Sequence, residues 1–336
     1  MFLYYFLLPA AFFLSFVCIW LILRLPSNWL ALDQPNNRSL HQTPTPRLGG
    51  IAILVGILIP FCVYYFLGEL KPDFLFVFTG LVLVAGISIA DDFYSISFLI
   101  RITIHIFAAM LIVNSGYVVE TIDIGWGDVA LPAYIAAPVS VLFIVWMINL
   151  YNFMDGIDGL AGGMAVVGFG TFAVIGVLQE HLAFAVSSLV IASSALGFLV
   201  WNYPPARIFM GDSGSSSLGL LAAVFSLWAH INEVLPIWIS LVIFAPFIID
   251  ATVTLIIRIV KREKFWDAHK SHCYQLVAES GLSRRKLVNF EYMLMLTCSL
   301  IAIFSYDASI SAQAGVMLIL ALLFFILIRH THKLSV

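Results

Sequence analysis

Residues 74–92 read FLFVFTGLVLVAGISIADD, an uncharged apolar run closed by two adjacent aspartates. A bilayer core takes about 20 apolar residues per helical crossing, and a chain inside it must satisfy its own backbone polar groups. The stretch therefore reads as a membrane helix with two carboxylates at one end. Working outward, comparable runs cover residues 2–23, 48–67, 98–113, 132–150, 161–178, 182–201, 215–231, 235–257, 287–305 and 310–328. The expected fold is all-α: a polytopic transmembrane helix bundle of about 11 spans, with residues 1–336 forming one domain.

Composition supports this. The chain is 62% hydrophobic and only 10% charged, whereas a soluble domain carries about 25% charged residues. A large soluble domain is excluded. Sixteen Lys and Arg against nineteen Asp and Glu, a net charge of −3, exclude a strongly basic nucleic-acid binder. Lys and Arg collect in cytoplasmic loops. With the N-terminus outside and the C-terminus inside, fifteen bases fall on the inside and Lys71 alone remains outside. The opening MFLYYFLLPAAFF has no base before its apolar run, so it reads as a retained helix and not a cleaved leader. Outside connections are short and acidic, and YVVETIDIGWGD within 115–131 reads as a small hairpin. Inside loops are longer and polar, so chemistry is expected there.

Cys18, Cys62, Cys273 and Cys298 show no metal-ligand spacing and read as packing residues, with no disulfide. Asn37-Arg38-Ser39 matches a glycosylation sequon on the wrong face, and Gly159 to Gly163 has the small-xxx-small spacing of close helix packing.

Four inside segments hold costly ionisable groups at helix ends. Asp91-Asp92 places two like charges together, which calls for a cation beside them. Asn149, Asn152 and Asp155, in NLYNFMDGIDGL, recur every three residues, with Asp158 following; amide and carboxylate oxygens suit a hard cation, although an ordinary turn uses the same residues. In WNYPPARIFMGDSGSSS, Asp212 precedes a Gly/Ser run opening a helix, where amide groups favour phosphate and Asp or Ser would equally serve as a cap. RIVKREKFWDAHKSHCYQ sets His269 and His272 in a basic loop that could also simply face anionic lipid. Taken together, these segments suit Mg²⁺, held by a few protein oxygens plus substrate phosphates, and phosphoryl transfer at the inner surface.

The same segments carry a resemblance. DQPNNRSLHQTPTPRLGG from Asp33, DDFYSIS from Asp91, NLYNFMDGIDGLAGG from Asn149, WNYPPARIFMGDSGSSSLG from Trp201 and AHKSHCYQ from Ala268 occur in order across nearly the whole chain. The sequence resembles the bacterial polyprenyl-phosphate N-acetylhexosamine-1-phosphate transferases of glycosyltransferase family 4. The resemblance implies transfer of a sugar 1-phosphate from a UDP-N-acetylhexosamine to undecaprenyl phosphate, releasing UMP, at the cytoplasmic side of the bacterial inner membrane. It implies Asn152 and Asp212 as Mg²⁺ ligands, with Mn²⁺ as a possible substitute. Asp155, Asp158, Asn202 and Phe209 would bind the nucleotide. Asp91 and Asp92 would face the lipid phosphate, with Asp92 orienting or deprotonating it. Arg47, Arg207, His269 and His272 would neutralise phosphates, with Arg38 and His41 as further candidates. Direct attack needs fewer assumptions than a covalent aspartyl intermediate. A homodimer is compatible with the resemblance.

AHKSHCYQ departs from the three consecutive histidines of the phospho-MurNAc-pentapeptide transferases and is closer to enzymes that begin O-antigen with N-acetylglucosamine, N-acetylquinovosamine or N-acetylfucosamine. The rival class is a secondary transporter. Such proteins bind substrate near the midplane at broken helices, whereas the acids here gather at one surface, with His105 and Asp250 as partial exceptions.

Overall fold

The computed structural model describes residues 4–34, 44–123, 128–263, 270–308 and 310–334. Its helices are α1 (Tyr4–Ile22), α2 (Gly49–Phe66), α3 (Phe74–Tyr94), α4 (Phe98–Asn114), α5 (Ala133–Phe153), α6 (Leu160–Leu178) and α7 (Leu182–Asn202). They continue with α8 (Gly211–Ile231), α9 (Ile237–Ile243), α10 (Ala245–Val260), α11 (Cys273–Glu279), α12 (Arg284–Ser305) and α13 (Ile310–Leu334). A 3-10 turn at Ser27–Trp29 and two short antiparallel ribbons complete the secondary structure of the described residues. β1 (Leu32–Asp33) pairs with β2 (Thr45–Pro46), and β3 (Thr121–Asp123) with β4 (Asp128–Ala130), with Ile122 opposite Val129. The second ribbon is the expected hairpin.

Eight of these helices are long and apolar enough to cross a membrane. The α9–α10 pair, sharply bent, makes a ninth if it is counted as one broken span, and residues 6–22 and 98–114 are shorter apolar helices. Every expected apolar run thus coincides with a helix or a helix pair. The run at 235–257 needs correcting: it is bent by 84° between α9 and α10. Pro246 stands in the first turn of α10, where its missing amide costs nothing, whereas in a helix running straight through it would remove one hydrogen bond and crowd the preceding turn.

Helix α8 is the axis of the bundle. The apolar window of this helix is 89% buried, against 17% for that of α13, and it packs against α2, α3 and α5. Its opening GDSGSSSLG is small enough for neighbouring backbones to approach, and a Cβ on Gly219 would come 2.5 Å from the Met147 carbonyl oxygen. Its serines return their hydroxyls to the helix itself, Ser217 to the Ser213 carbonyl at 2.6 Å and Ser226 to that of Ala222 at 2.7 Å. The far end of α8 is wedged by aromatic rings. Trp228 lies 5.2 Å from Phe225 and 5.3 Å from Phe184 in edge-to-face contacts, an arrangement favoured by ring quadrupoles. One end of the axis is therefore dry and aromatic, and the other is polar. The four cysteines are free, and the sequon at Asn37 lies outside the described residues.

Candidate active site

The polar end of α8 is built from three distant segments. Gly211 opens the helix at φ +73°, and a Cβ there would press on the Arg47 carbonyl oxygen at 2.4 Å. The Asp92 carboxylate receives the next two amides, Asp212 N–H at 3.0 Å and Ser213 N–H at 3.2 Å. Helix N-termini leave such amides without intrahelical partners, so Asp92, 5% exposed on α3, caps α8 from another helix. The start of α2 docks on the same place. Gly49 and Gly50 donate to the Phe209 and Met210 carbonyls at 2.9 and 2.7 Å, while Phe209 N–H reaches Pro46 O at 2.7 Å.

Beside this cap lies a cluster of acids. Arg101, from α4, places one guanidinium nitrogen 2.5 Å from Asp91 Oδ2 and 2.8 Å from Asp212 Oδ2. The other Asp91 oxygen accepts the Ile96 amide. Asn152 donates from Nδ2 to Ser215 Oγ at 3.0 Å, and its side chain acts on the nearby Asp212 carboxylate. Arg47 acts electrostatically on Asp92, and its buried Nε has no partner among the described residues. Asp155 follows α5 in the loop. Withdrawal from water, and then the charges of Asp212, Asp92 and Asp158, push its carboxyl well above the usual range.

The loop from 154 to 159 is fastened by tyrosine hydroxyls from three helices. Tyr274 donates to the Phe153 carbonyl at 3.1 Å, Tyr292 to that of Gly159 at 2.7 Å, and Tyr151 to that of Ala161 at 2.9 Å. Gly159 sits at φ +81°, a conformation that glycine adopts at little cost. A Cβ on Gly163 would come 2.0 Å from the Tyr292 ring, which accounts for the small residues at that spacing. Asp158 accepts Ala206 N–H at 3.1 Å and lies 3.5 Å from Arg284. Asn202 accepts Gly159 N–H and donates to Ile208 O, both at 2.8 Å. These two residues tie the 154–159 loop to the 203–210 loop, and Asn202 is only 3% exposed. Phe209 is half-buried beside them, whereas Arg207 is exposed with its guanidinium carbon 5.6 Å from the Trp201 ring centroid.

His272 is buried at the start of α11, its Nδ1 3.3 Å from Asp250 Oδ1. Asp250 also accepts Cys273 N–H at 2.9 Å, Tyr274 N–H at 3.3 Å and the Thr254 hydroxyl at 3.2 Å. Asp250 thus holds the turn that presents His272, and Tyr274 connects that turn to the Asp155 loop. Arg38, His41 and His269 lie outside the described residues.

Asp91, Asp92, Asn152, Asp155, Asp212 and Arg47 therefore converge at the head of α8. Asp158, Asn202, Phe209 and Arg207 line the adjoining loops, and His272 sits at their foot. Arg101 and Asp250 belong to this constellation too, and the motif reading did not single them out as site residues. Both had a signal: each is an ionisable group within an otherwise apolar run. Asn152, Asp155 and Asp212 offer oxygen donors, without sulfur or imidazole, of the kind a hard divalent cation takes, and Arg47, Arg101 and Arg207 bring guanidinium groups, of the kind that pairs with phosphate.

Comparison with known proteins agrees with this arrangement. A glycosyl transferase family 4 model matches residues 74–230, the segment from α3 to α8 that contains every converging acid. The chain is 33% identical over 309 residues to the Bacillus subtilis "Probable undecaprenyl-phosphate N-acetylglucosaminyl 1-phosphate transferase", covering 89% of this chain and 82% of the relative. It is 29% identical to the Mycobacterium leprae decaprenyl-phosphate N-acetylglucosaminephosphotransferase, over 78% and 74% of the two chains. It is 30% identical to a Listeria monocytogenes phospho-N-acetylmuramoyl-pentapeptide-transferase, over 64% and 68%. With this extent of similarity and these acids at the head of one buried helix, the chain belongs to the polyprenyl-phosphate hexosamine-1-phosphate transferases of glycosyl transferase family 4.

Proposed function

We propose that the protein transfers N-acetylhexosamine 1-phosphate, of the N-acetylglucosamine, N-acetylquinovosamine or N-acetylfucosamine type, from its UDP-sugar to undecaprenyl phosphate. The products are undecaprenyl-diphosphate sugar and UMP, and the step starts O-antigen or related surface polysaccharide at the cytoplasmic face of the inner membrane. The observation that carries this reading is the meeting of Asn152, Asp155 and Asp212 with Arg47 and Arg101 around the capped start of α8.

An oxygen of the acceptor phosphate attacks the sugar-bearing phosphorus, forming one P–O bond as the bond to UMP breaks. A phosphate monoester is largely dianionic at pH 7, with a second pKa of about 6, so the attack needs no strong base. Charge neutralisation and alignment are the main requirements. Asn152 and Asp212, with Asp155 beside them, would hold Mg²⁺, which supplies charge stabilisation to the diphosphate. Arg47 and Arg207 offset the repulsion between donor and acceptor phosphates. Asp92 acts through the α8 amides that it fixes, while Asp91 holds Arg101.

The similarity to the Listeria relative favours a second reading, a muramoyl-pentapeptide donor; the AHKSHCYQ segment, lacking consecutive histidines, speaks against it. Purified protein incubated with Mg²⁺, undecaprenyl phosphate and a panel of UDP-sugars including UDP-MurNAc-pentapeptide separates the two. UMP release with a simple N-acetylhexosamine donor, and a lipid product of matching mass, is expected. No UMP from any donor overturns the reading. Light scattering of the detergent-solubilised protein checks the homodimer.

A further inference from the structure

Asp212, assigned above to the divalent cation, already has its Oδ2 2.8 Å from Arg101 Nη1. A guanidinium and a divalent ion repel each other, so the two compete for that carboxylate. Two further observations concern where the guanidinium could go. Arg101 Nε is buried without a partner among the described residues. One turn along α4, on the same face, His105 is only 5% exposed and neither ring nitrogen has a partner among the described residues. A helical side chain leans over the turn N-terminal to it, so the His105 imidazole leans toward Arg101, whose charge acts on it. Burying an imidazole with both nitrogens unpaired is costly; an N–H delivered to one of them relieves part of that cost.

We propose that Arg101 is the resident counter-cation of the acid cluster, neutralising Asp91 and Asp212 until a divalent ion binds, and that its guanidinium then leaves Asp212 while its Nε–H is taken by His105. Both are positioning residues. The inference rests on Asp212 as a metal ligand.

The test uses the full-length protein in detergent with Mn²⁺ alone, its binding followed by electron paramagnetic resonance and its metal-free unfolding temperature by fluorimetry. Arg101→Gln removes the competitor, so Mn²⁺ should bind about ten-fold more tightly, with a lower metal-free unfolding temperature from unscreened acids. His105→Leu removes the acceptor and should weaken Mn²⁺ binding several-fold, with a metal-free unfolding temperature unchanged or higher. This second variant keeps the test open if the first does not fold. Unchanged or weaker Mn²⁺ binding in Arg101→Gln, or wild-type binding in His105→Leu, overturns the proposal. Asp212→Ala separates the two levels: if it binds Mn²⁺ as wild type does, the metal assignment falls and this proposal with it. If it loses binding while Arg101→Gln matches wild type, only the counter-cation role falls.

Discussion

Gly50→Ala tests how tightly the site depends on backbone contact between α2 and α8. A Cβ built on Gly50 lies 2.1 Å from the Gly214 amide nitrogen, 2.5 Å from its Cα and 2.6 Å from Ser213 Oγ. Ordinary contact begins at 3.4 Å, so the helices must part by about 1.3 Å, and the obstructing atoms are mainly backbone that no rotamer can move aside. Overpacking of this kind costs about 1–3 kcal/mol. The displacement falls two residues from Asp212, on the helix whose first amides are held by Asp92. Misplacing a catalytic group by about 1 Å can cost on the order of 100-fold in rate. Gly50→Ala should therefore unfold at a lower temperature in detergent and release UMP roughly 100-fold more slowly. Gly86→Ala and Gly170→Ala, with nothing within 4 Å of the added carbon, should behave as wild type in both assays. Wild-type turnover in Gly50→Ala would refute the claim that direct backbone contact sets the position of Asp212.

Asp212→Ala and Asn152→Ala should each lower turnover by on the order of 10²–10³-fold or more while the unfolding temperature stays near that of wild type; retained activity in both removes them from the metal site. Asp155→Asn carries a pH signature. The folded carboxyl titrates above its unfolded counterpart, so the folded protein keeps a proton that the unfolded chain has lost, and stability falls as pH rises from about 4. In EDTA the Asn variant should therefore be the more stable protein at pH 7.5, with the gap closing toward pH 4, as read by thermal unfolding across that range. Tyr274→Phe removes one hydrogen bond to the Phe153 carbonyl and should cost about 1 kcal/mol. Its kcat should fall with the Asp155 loop less firmly held, and an unchanged kcat would make that bond irrelevant to the site.

The apolar runs announce the spans because lipid demands long uninterrupted helices, and each run is found as a helix or a helix pair. The break at Phe244 was foreshadowed by Pro246 alone, a weak sign inside a run that is apolar on both sides. The polar segments announced the site because charge is expensive there. How those segments join was less legible. Nothing near Asp92 tells that its carboxylate caps a helix 120 residues later, since capping across space leaves no local pattern. The same is true of Asp158 and Asn202, whose resemblance to nucleotide ligands drew attention from the backbone atoms that they hold. In the sequence Arg101 is one more base at the inner end of an apolar run, and Asp250 is a lone carboxylate within another. Their roles follow only from which helices stand side by side.

The tyrosine fastenings bear on how the enzyme comes into being. A membrane chain is made from its N-terminus, and α5, α6 and the loop between them are complete when Tyr274 and Tyr292 have yet to be joined to the chain. Those two hydroxyls lie 121 and 133 residues beyond the carbonyls they hold. Until α11 and α12 have been made and docked, Asp155 and Asp158 sit on a loop that lacks two of its three tyrosine fastenings and is held by Tyr151, Asn202 and the Ala206 amide. A nascent protein ending near residue 260 would carry every acid of the cluster and still lack the two hydroxyls that pin the ends of the Asp155 loop.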